Sequence, residues 1–297
     1  MARKRYYVIA NPIGGSKNGL EIVREIKQVF DAADADLMIH ETSWSLHARE
    51  IAQNIDVDNY DGLITVGGDG TAHEAINGLM NRKDGKKIPL GMVPGGSGNS
   101  FLYGLDCHDS VNAANRILTG NTQNIDVAKI IMKDSILYSF NIIGWGLITA
   151  IARTSEKFRW WPKQRYNLST VIELVQLQAR STKLIIDETV IDGDISFLIA
   201  CNTPYTGVGM KMAPKAKLDD GKIDIIVVKE ASRLQMLKLF PKVFDGSHID
   251  SDLVDYYQVK KFELIPAEND ILDIDGEITG ITPIKVEMIS KAIEIFV

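Results

Sequence analysis

"ITVGGDGTAHEAINGL", residues 64–79, decides how the chain is read. Ile64, Thr65 and Val66 read as the end of a buried strand. The glycines flanking Asp69 make a tight turn into a helix on which Ala75, Ile76 and Leu79 share a face. Such a turn binds phosphate through bare backbone N–H groups and the positive helix end. Asp69 is out of place there, because two like charges about 4 Å apart cost roughly 1 kcal/mol in water and roughly 4 near a protein surface. One reading makes Asp69 a cap for a helix over 71–81, with Thr71 as its partner. The other gives the carboxylate a chemical task beside the phosphate.

The same strand–glycine–helix grammar recurs on both sides. "YYVIANP" runs into "IGGSKNG", followed by a helix with Ile22, Ile26, Val29 and Ala33 at helical spacing. "DLMIH" precedes a helix around "LHAREIAQNI", and "IPLGMV" ends at "PGGSGNS". Continuous apolar strands alternating with helices predict a parallel sheet covered on both faces. Loops Asn11 to Gly19, Gly67 to Thr71 and Gly95 to Asn99 all follow strands, so they are expected to converge on one crevice at the carboxyl ends. One glycine loop alone is equally a matter of turns and packing; three at successive strand ends favour a nucleotide site.

Past residue 122 the pattern changes. "NIDVAKIIM", "SILYSFNIIG", "TKLIIDETVI", "DISFLIACN", "KIDIIVVK", "YYQVKKFELIP" and "IKVEMIS" are strand-like, with helical stretches over 146–179 and 232–245. Two domains follow: 1–122, α/β and nucleotide-binding, and 123–297, β-rich and antiparallel. A chain of 297 residues suits two cores. The net charge of −6 supplies no global attraction to nucleic acid, which is not expected as a partner. Cys107 and Cys201 form no CxxC, which argues for a reducing compartment and against structural zinc. The apolar run after the basic start breaks at Asn11-Pro12, which is not a signal peptide, and no window reaches a membrane-spanning length. A cytoplasmic protein, peripheral to membrane, is expected; homodimerisation is left open.

No G-x-x-x-x-G-K-[ST] occurs, and neither GGDGTA nor GGSGNS completes G-x-G-x-x-G. The set "NPIGG", "GGDGTAHEAINGL", "PLGMVPGGSGNSF", "SEKFRWWPKQRY", "APKAKLDDGKIDIIVV" and "DIDGE" instead resembles the lipid kinases that include diacylglycerol, sphingosine and ceramide kinases. GGDGT alone is shared with NAD kinases; its combination with a late DGE is more specific. The resemblance implies an NAD kinase/diacylglycerol kinase-like nucleotide domain, an antiparallel β-sandwich domain, and a C-terminus that returns to the first domain. It also implies ATP and Mg²⁺, with a lipid hydroxyl as acceptor.

By that resemblance Asp69 is the base that accepts the hydroxyl proton, while Gly67, Gly68, Gly70 and Thr71 cradle phosphate. Mg²⁺ would offset the repulsion between carboxylate and phosphate. Asn11, Pro12 and Ile13 touch ATP, Thr42 lines its pocket or simply caps a helix, and Glu74 contacts the nucleotide or is an exposed helical Glu. Gly96, Ser97 and Gly98 form the second phosphate turn, where Asn99 bonds phosphate or stabilises the turn. Asp275, Gly276 and Glu277 come to the nucleotide from the second domain, Glu277 as a catalytic polar contact, although Asp-Gly is also a favoured hairpin turn. Asp220 matches a divalent-metal position, or is another such turn.

Residues 156–166 carry three readings. Arg159 and Arg165 match phosphate-binding arginines; Phe158, Trp160 and Trp161 with the cations suit a membrane interface; or the tryptophans are buried between domains. One departure matters. Sphingosine kinases carry acids where this chain has Ala150 and Ala152, one of which pairs with the sphingoid amine. A neutral lipid such as diacylglycerol is then at least as well supported as sphingosine, unless a nearby acid such as Glu156 compensates. The competing functions are an NAD kinase-like soluble-nucleotide kinase and a catalytically silent lipid- or nucleotide-binding protein.

Overall fold

The computed structural model describes residues 3–13, 19–96, 99–158, 161, 164–207 and 209–297. The chain divides into two units, Met1–Ile125 with Lys291–Val297, and Asp126–Ser290. The first unit runs β1 (Arg5–Ala10), α1 (Gly19–Ala32), β2 (Asp36–Glu41), α2 (His47–Asn54), β3 (Gly62–Gly67), α3 (Asp69–Met80), β4 (Leu90–Pro94), α4 (Ser100–Gly104) and α5 (Ser110–Thr119). Its strands lie parallel in the order β4-β3-β1-β2. β3 and β4 are buried at every position, which is why they are apolar without alternation, whereas the edge strand β2 alternates. The core stripe of α1 is Val23, Ile26 and Phe30: Ile26 is buried as predicted, while Val23 and Phe30 take the places expected of Ile22 and Val29. Phe30 turns it, meeting Tyr6 edge-on at 5.1 Å between ring centroids.

The second unit is antiparallel. It contains most of β5 (Thr122–Ile131), then β6 (Ile136–Ser139), β7 (Ile142–Gly146), α6 (Leu147–Glu156), α7 (Arg165–Val175), β8 (Arg180–Ile186), β9 (Thr189–Cys201), β10 (Ile223–Lys229) and α8 (Arg233–Leu239). β11 (Val254–Val259), β12 (Lys261–Pro266), β13 (Ile271–Ile274), β14 (Glu277–Ile281) and β15 (Ile284–Phe296) complete it. The pairing runs β14-β13-β7-β9-β8-β12-β15, with β10 and β11 joined through β9. Antiparallel strands usually alternate, yet β9 and β10 are apolar on both faces, because they are covered twice. Leu198, Ala200, Ile225 and Val227 enter a core shared with Trp145, Phe262 and Val286. Phe197, Ile199, Ile226 and Val228 enter a second one with Leu174, Met236 and Leu239 from the helices.

The run "SILYSFNIIG" forms two strands rather than one, broken at Phe140-Asn141 for a reason that lies in the site. The last residues of β15 belong to the first unit, where Ile295 pairs in parallel with Leu90 and Phe296 packs edge-on against Tyr6. Among the described residues no helix is long and apolar enough to cross a membrane.

Candidate functional site

In the first unit the carboxyl ends of β1, β3 and β4 bring the three loops into contact. Asn11 N–H donates to Val66 O at 2.9 Å, and Gly95 N–H donates to Gly67 O at 2.8 Å. Asn11 Nδ2 reaches Thr71 Oγ1 at 3.3 Å, while its Oδ1 accepts Ile13 N–H at 3.2 Å. Two glycines are required by close approach: a Cβ on Gly67 would stand 2.4 Å from Thr71 Oγ1, and one on Gly96 2.4 Å from Gly68 Cα. Thr42 joins the same edge, its N–H on Ala10 O at 2.8 Å. It is not a cap, since α2 begins at His47 with Leu46 before it.

Asp69 is the first residue of α3, whose N-cap is Gly68 with no side-chain bond, and Thr71 faces Asn11. The N-cap position is therefore Gly68 rather than Asp69. Instead Asp69 Oδ2 accepts both the backbone N–H and the hydroxyl of Ser100, each at 2.9 Å, across to the start of α4. The half-buried carboxylate is thus fixed by a residue 31 positions away, among amides of two helix starts. Asn99 holds its own turn: Oδ1 accepts Gly96 N–H at 3.2 Å and Nδ2 donates to Gly96 O at 3.1 Å.

Glu74 is neither loose on its helix nor aimed away from the chain. Its Oε1 accepts Leu46 N–H at 2.9 Å and its Oε2 accepts Ala48 N–H at 3.1 Å. The cause is local: Leu46 is left-handed, with φ of 67°, and has no side chain able to cap α2, so Glu74 caps it from a distance. Ser97, Gly98, Arg159 and Trp160, and the side chain of Arg165, lie outside the described residues. Pro12 is half-buried, Ile13 and Trp161 are exposed and Phe158 is half-buried.

In the second unit Asp275 and Gly276, with φ of 54° and 88°, form the two-residue turn between β13 and β14. Asp275 does not present its carboxylate to solvent. It is buried, and Oδ1 accepts Ser139 Oγ–H at 2.7 Å and the N–H groups of Asn141 and Ile142 at 2.9 Å. Oδ2 accepts Phe140 N–H at 3.3 Å. This clasp bends 139–142 and splits the predicted single strand, and it gives Asp275 a structural role. Gly276 and Glu277, just beyond it, are exposed.

Asp220 sits in an Asp-Gly turn, Oδ1 accepting Lys222 N–H at 3.0 Å. Nearby Asp224 is buried and accepts Tyr256 Oη–H at 2.5 Å and Gln258 Nε2–H at 3.0 Å. Burial pushes its carboxyl above the ordinary value against those bonds. Among the described residues no group of three or more His, Cys, Asp or Glu is placed to hold a metal ion. One half-buried carboxylate already bonded to an amide is a poor donor set for a hard divalent cation, so the residues at Asp220 do not fit a resident metal.

A cavity of about 450 Å³ lies in this unit, lined by Leu147 and Ala150 of α6, Glu173 of α7, Leu177, Arg180 and Arg233. Glu173 accepts Thr154 Oγ1–H at 2.5 Å. Ala152 is buried and Glu156 is exposed.

Comparison with known proteins decides the family. Residues 5–130 match the diacylglycerol kinase catalytic domain, and residues 141–297 match the YegS C-terminal NAD kinase beta sandwich-like domain. Sphingosine kinase 1 of Arabidopsis thaliana is 33% identical over 93% of this chain and 68% of its own length. The chain belongs to the lipid kinase family of diacylglycerol and sphingosine kinases. A diacylglycerol kinase of Bacillus subtilis is 26% identical over 94% of this chain and 92% of its own. The crystal structure of a diacylglycerol kinase from Bacillus anthracis superposes with a TM-score of 0.82 at 25% identity, covering 99% of this chain and 96% of that one.

Two residues of this lipid kinase chain escape sequence reading. Ser100 fixes Asp69, and its only sequence signal is its place after Asn99 at the start of a helix. Glu173 enters the cavity beside Ala150, although it stands 23 residues along from it in the chain.

Proposed function

We propose that the protein is an ATP-dependent kinase that phosphorylates a primary hydroxyl of a membrane lipid. The observation that carries this reading is the convergence of the three strand-end loops around Asp69, whose carboxylate is held by Ser100. Backbone N–H groups of Gly67, Gly68 and Gly70 supply a neutral cradle for phosphate at the start of α3. Asn11, Pro12, Ile13 and Thr42 border the same edge and serve ATP. Mg²⁺ bound to ATP would offset negative charge on its phosphates.

Asp69 acts as the base. The acceptor hydroxyl donates its hydrogen bond to the carboxylate, which orients a lone pair along the line of attack. As the new oxygen–phosphorus bond forms, the γ-phosphorus bond to the β-bridging oxygen breaks and ADP leaves. The proton passes to Asp69. Because the transition state of phosphoryl transfer is loose, orientation contributes more than early deprotonation. Gly276 and Glu277, exposed beyond the Asp275 clasp, remain the members of the late DGE assigned to nucleotide.

For the acceptor, Ala150 and Ala152 remove the acids that would pair with a sphingoid amine, which supports diacylglycerol. A specific observation favours a second reading: Glu173 lines the cavity beside Ala150 and would take an ammonium group there. The test supplies labelled ATP with diacylglycerol, sphingosine, ceramide and NAD to wild type, Asp69→Asn and Glu173→Gln. Transfer to diacylglycerol that survives Glu173→Gln and is abolished by Asp69→Asn supports the first reading. Selective loss of sphingosine phosphorylation in Glu173→Gln supports the second. Transfer to NAD, or to none of the four, overturns both.

A further inference from the structure

Trp44 is 58% exposed, yet its ring is held in place. It lies flat on the imidazole of His47, with centroids 3.7 Å apart and planes 16° from parallel. His47 is buried, and its Nδ1 accepts the Ser43 N–H at 3.1 Å, so the loop that carries the tryptophan also orients the ring beneath it. His40 meets His47 edge-on at 5.3 Å, and Tyr7 Oη stands within hydrogen-bond distance of His40 Nδ1 at 2.9 Å. Glu74 fixes the far end of the loop through the amides of Leu46 and Ala48. An indole pinned on one face and open on the other is preorganised for a planar partner, because stacking on it freezes little further motion.

The place of this ring in the sheet says what that partner is. The glycine cradle lies at the carboxyl end of β3; β1 is the next strand and β2 the one beyond it. At about 4.8 Å between neighbours, the end of β2 stands roughly 10 Å from the end of β3. A nucleotide laid across the strand ends with its phosphates on the glycines sets its base at the end of β2. Trp44 is three residues past Glu41, the last of β2, and Ile13, 76% exposed, is three past Ala10, the residue paired with Glu41. Adjacent strand ends thus each carry a large exposed apolar side chain at the same remove. "TSWSL", residues 42–46, holds no charge, which suits an uncharged base.

We propose that the open face of Trp44 is the platform on which the purine base of ATP stacks, with His47 as the support that keeps the indole flat; this rests on the reading of the three strand-end loops as a nucleotide site. The test is calorimetric titration of the full chain with ATP and with inorganic tripolyphosphate, which offers phosphates and no base. Wild type binds ATP more tightly than tripolyphosphate. Trp44→Ala weakens ATP at least about tenfold, as loss of an aromatic ring beneath a base does, and leaves tripolyphosphate within about twofold. A merely structural role for Trp44 would weaken both ligands together. Trp44→Phe keeps a ring and recovers most of the affinity, while the quenching of tryptophan fluorescence by ATP is lost.

ATP affinity in Trp44→Ala equal to wild type overturns the proposal, as does a parallel loss of ATP and tripolyphosphate binding. Should Trp44→Ala fail to fold, Trp44→Phe decides alone: quenching by ATP that persists in this variant overturns the proposal, since the signal then comes from another tryptophan. Binding and transfer are read separately. A wild type that binds ATP with this dependence on Trp44 but phosphorylates no lipid overturns the kinase reading and leaves the stacking standing. A wild type that phosphorylates diacylglycerol while Trp44→Ala binds ATP undiminished does the reverse.

Discussion

Asp69 and Asp275 each precede a glycine at a turn, and the fold treats their carboxylates in opposite ways. Asp69 is half-buried, and its Oδ2 accepts the backbone N–H and the hydroxyl of Ser100. Asp275 is buried and has both oxygens engaged by the hydroxyl of Ser139 and the N–H groups of Phe140, Asn141 and Ile142. A carboxylate saturated by donors holds the backbone in place. One held at the rim of a glycine cradle suits the chemical role proposed for Asp69.

The comparison breaks most visibly at Asp69. Asp69→Asn keeps the bonding shape toward Ser100 and removes the proton acceptor. Lipid phosphorylation is expected to fall about 10³-fold, within the range of general-base removal, with the urea midpoint unchanged. A variant with wild-type kcat would return Asp69 to a structural role.

Asp275→Ala reverses the pattern. Three buried N–H groups and a hydroxyl lose their acceptor together, so urea unfolding should show a loss of about 4 kcal/mol, given 1–3 for each unsatisfied buried group and partial relaxation. Any activity that remains should follow the folded fraction. Full stability with lost ATP binding would place the carboxylate at the nucleotide instead.

Ser100→Ala sharpens the contrast. The backbone N–H still holds Asp69, and only the hydroxyl donor is gone. Activity should fall about tenfold, equivalent to roughly 1.4 kcal/mol of transition-state stabilisation, mostly in kcat. Ser100→Thr should recover part of it.

How much of this is legible in the sequence depends on the range of the interaction. The strand-end loops are legible because close backbone approach demands glycine, as at Gly67 and Gly96, and a turn into a helix announces itself locally. β9 and β10 are legible as strands from their apolar runs, while their double coverage is not. The partners of the carboxylates are the least legible. Ser100 meets Asp69 from 31 residues away, Leu46 meets Glu74 from 28, and Ser139 meets Asp275 from 136. Each pairing is set by which strands lie side by side, information that periodicity does not hold. The break in "SILYSFNIIG" has the same origin, since the sequence there alternates like a strand and the bend comes from Asp275.

Glu74 offers the finest distinction, because it lies on the helix that Asp69 begins and yet behaves like Asp275. Both of its oxygens are taken by amides at the start of α2, where Leu46 cannot cap. Glu74→Gln keeps one acceptor oxygen and loses the second, together with a negative charge near a helix N-terminus. The expected cost is about 1 kcal/mol of stability in urea unfolding. Loop 42–48, which it supports, borders the edge assigned to ATP. KM for ATP should therefore rise no more than about threefold while kcat holds, the signature of lost ground-state binding. If instead stability is unchanged and kcat/KM collapses, the carboxylate leaves α2 when nucleotide binds, and Glu74 belongs with Asp69 rather than with Asp275.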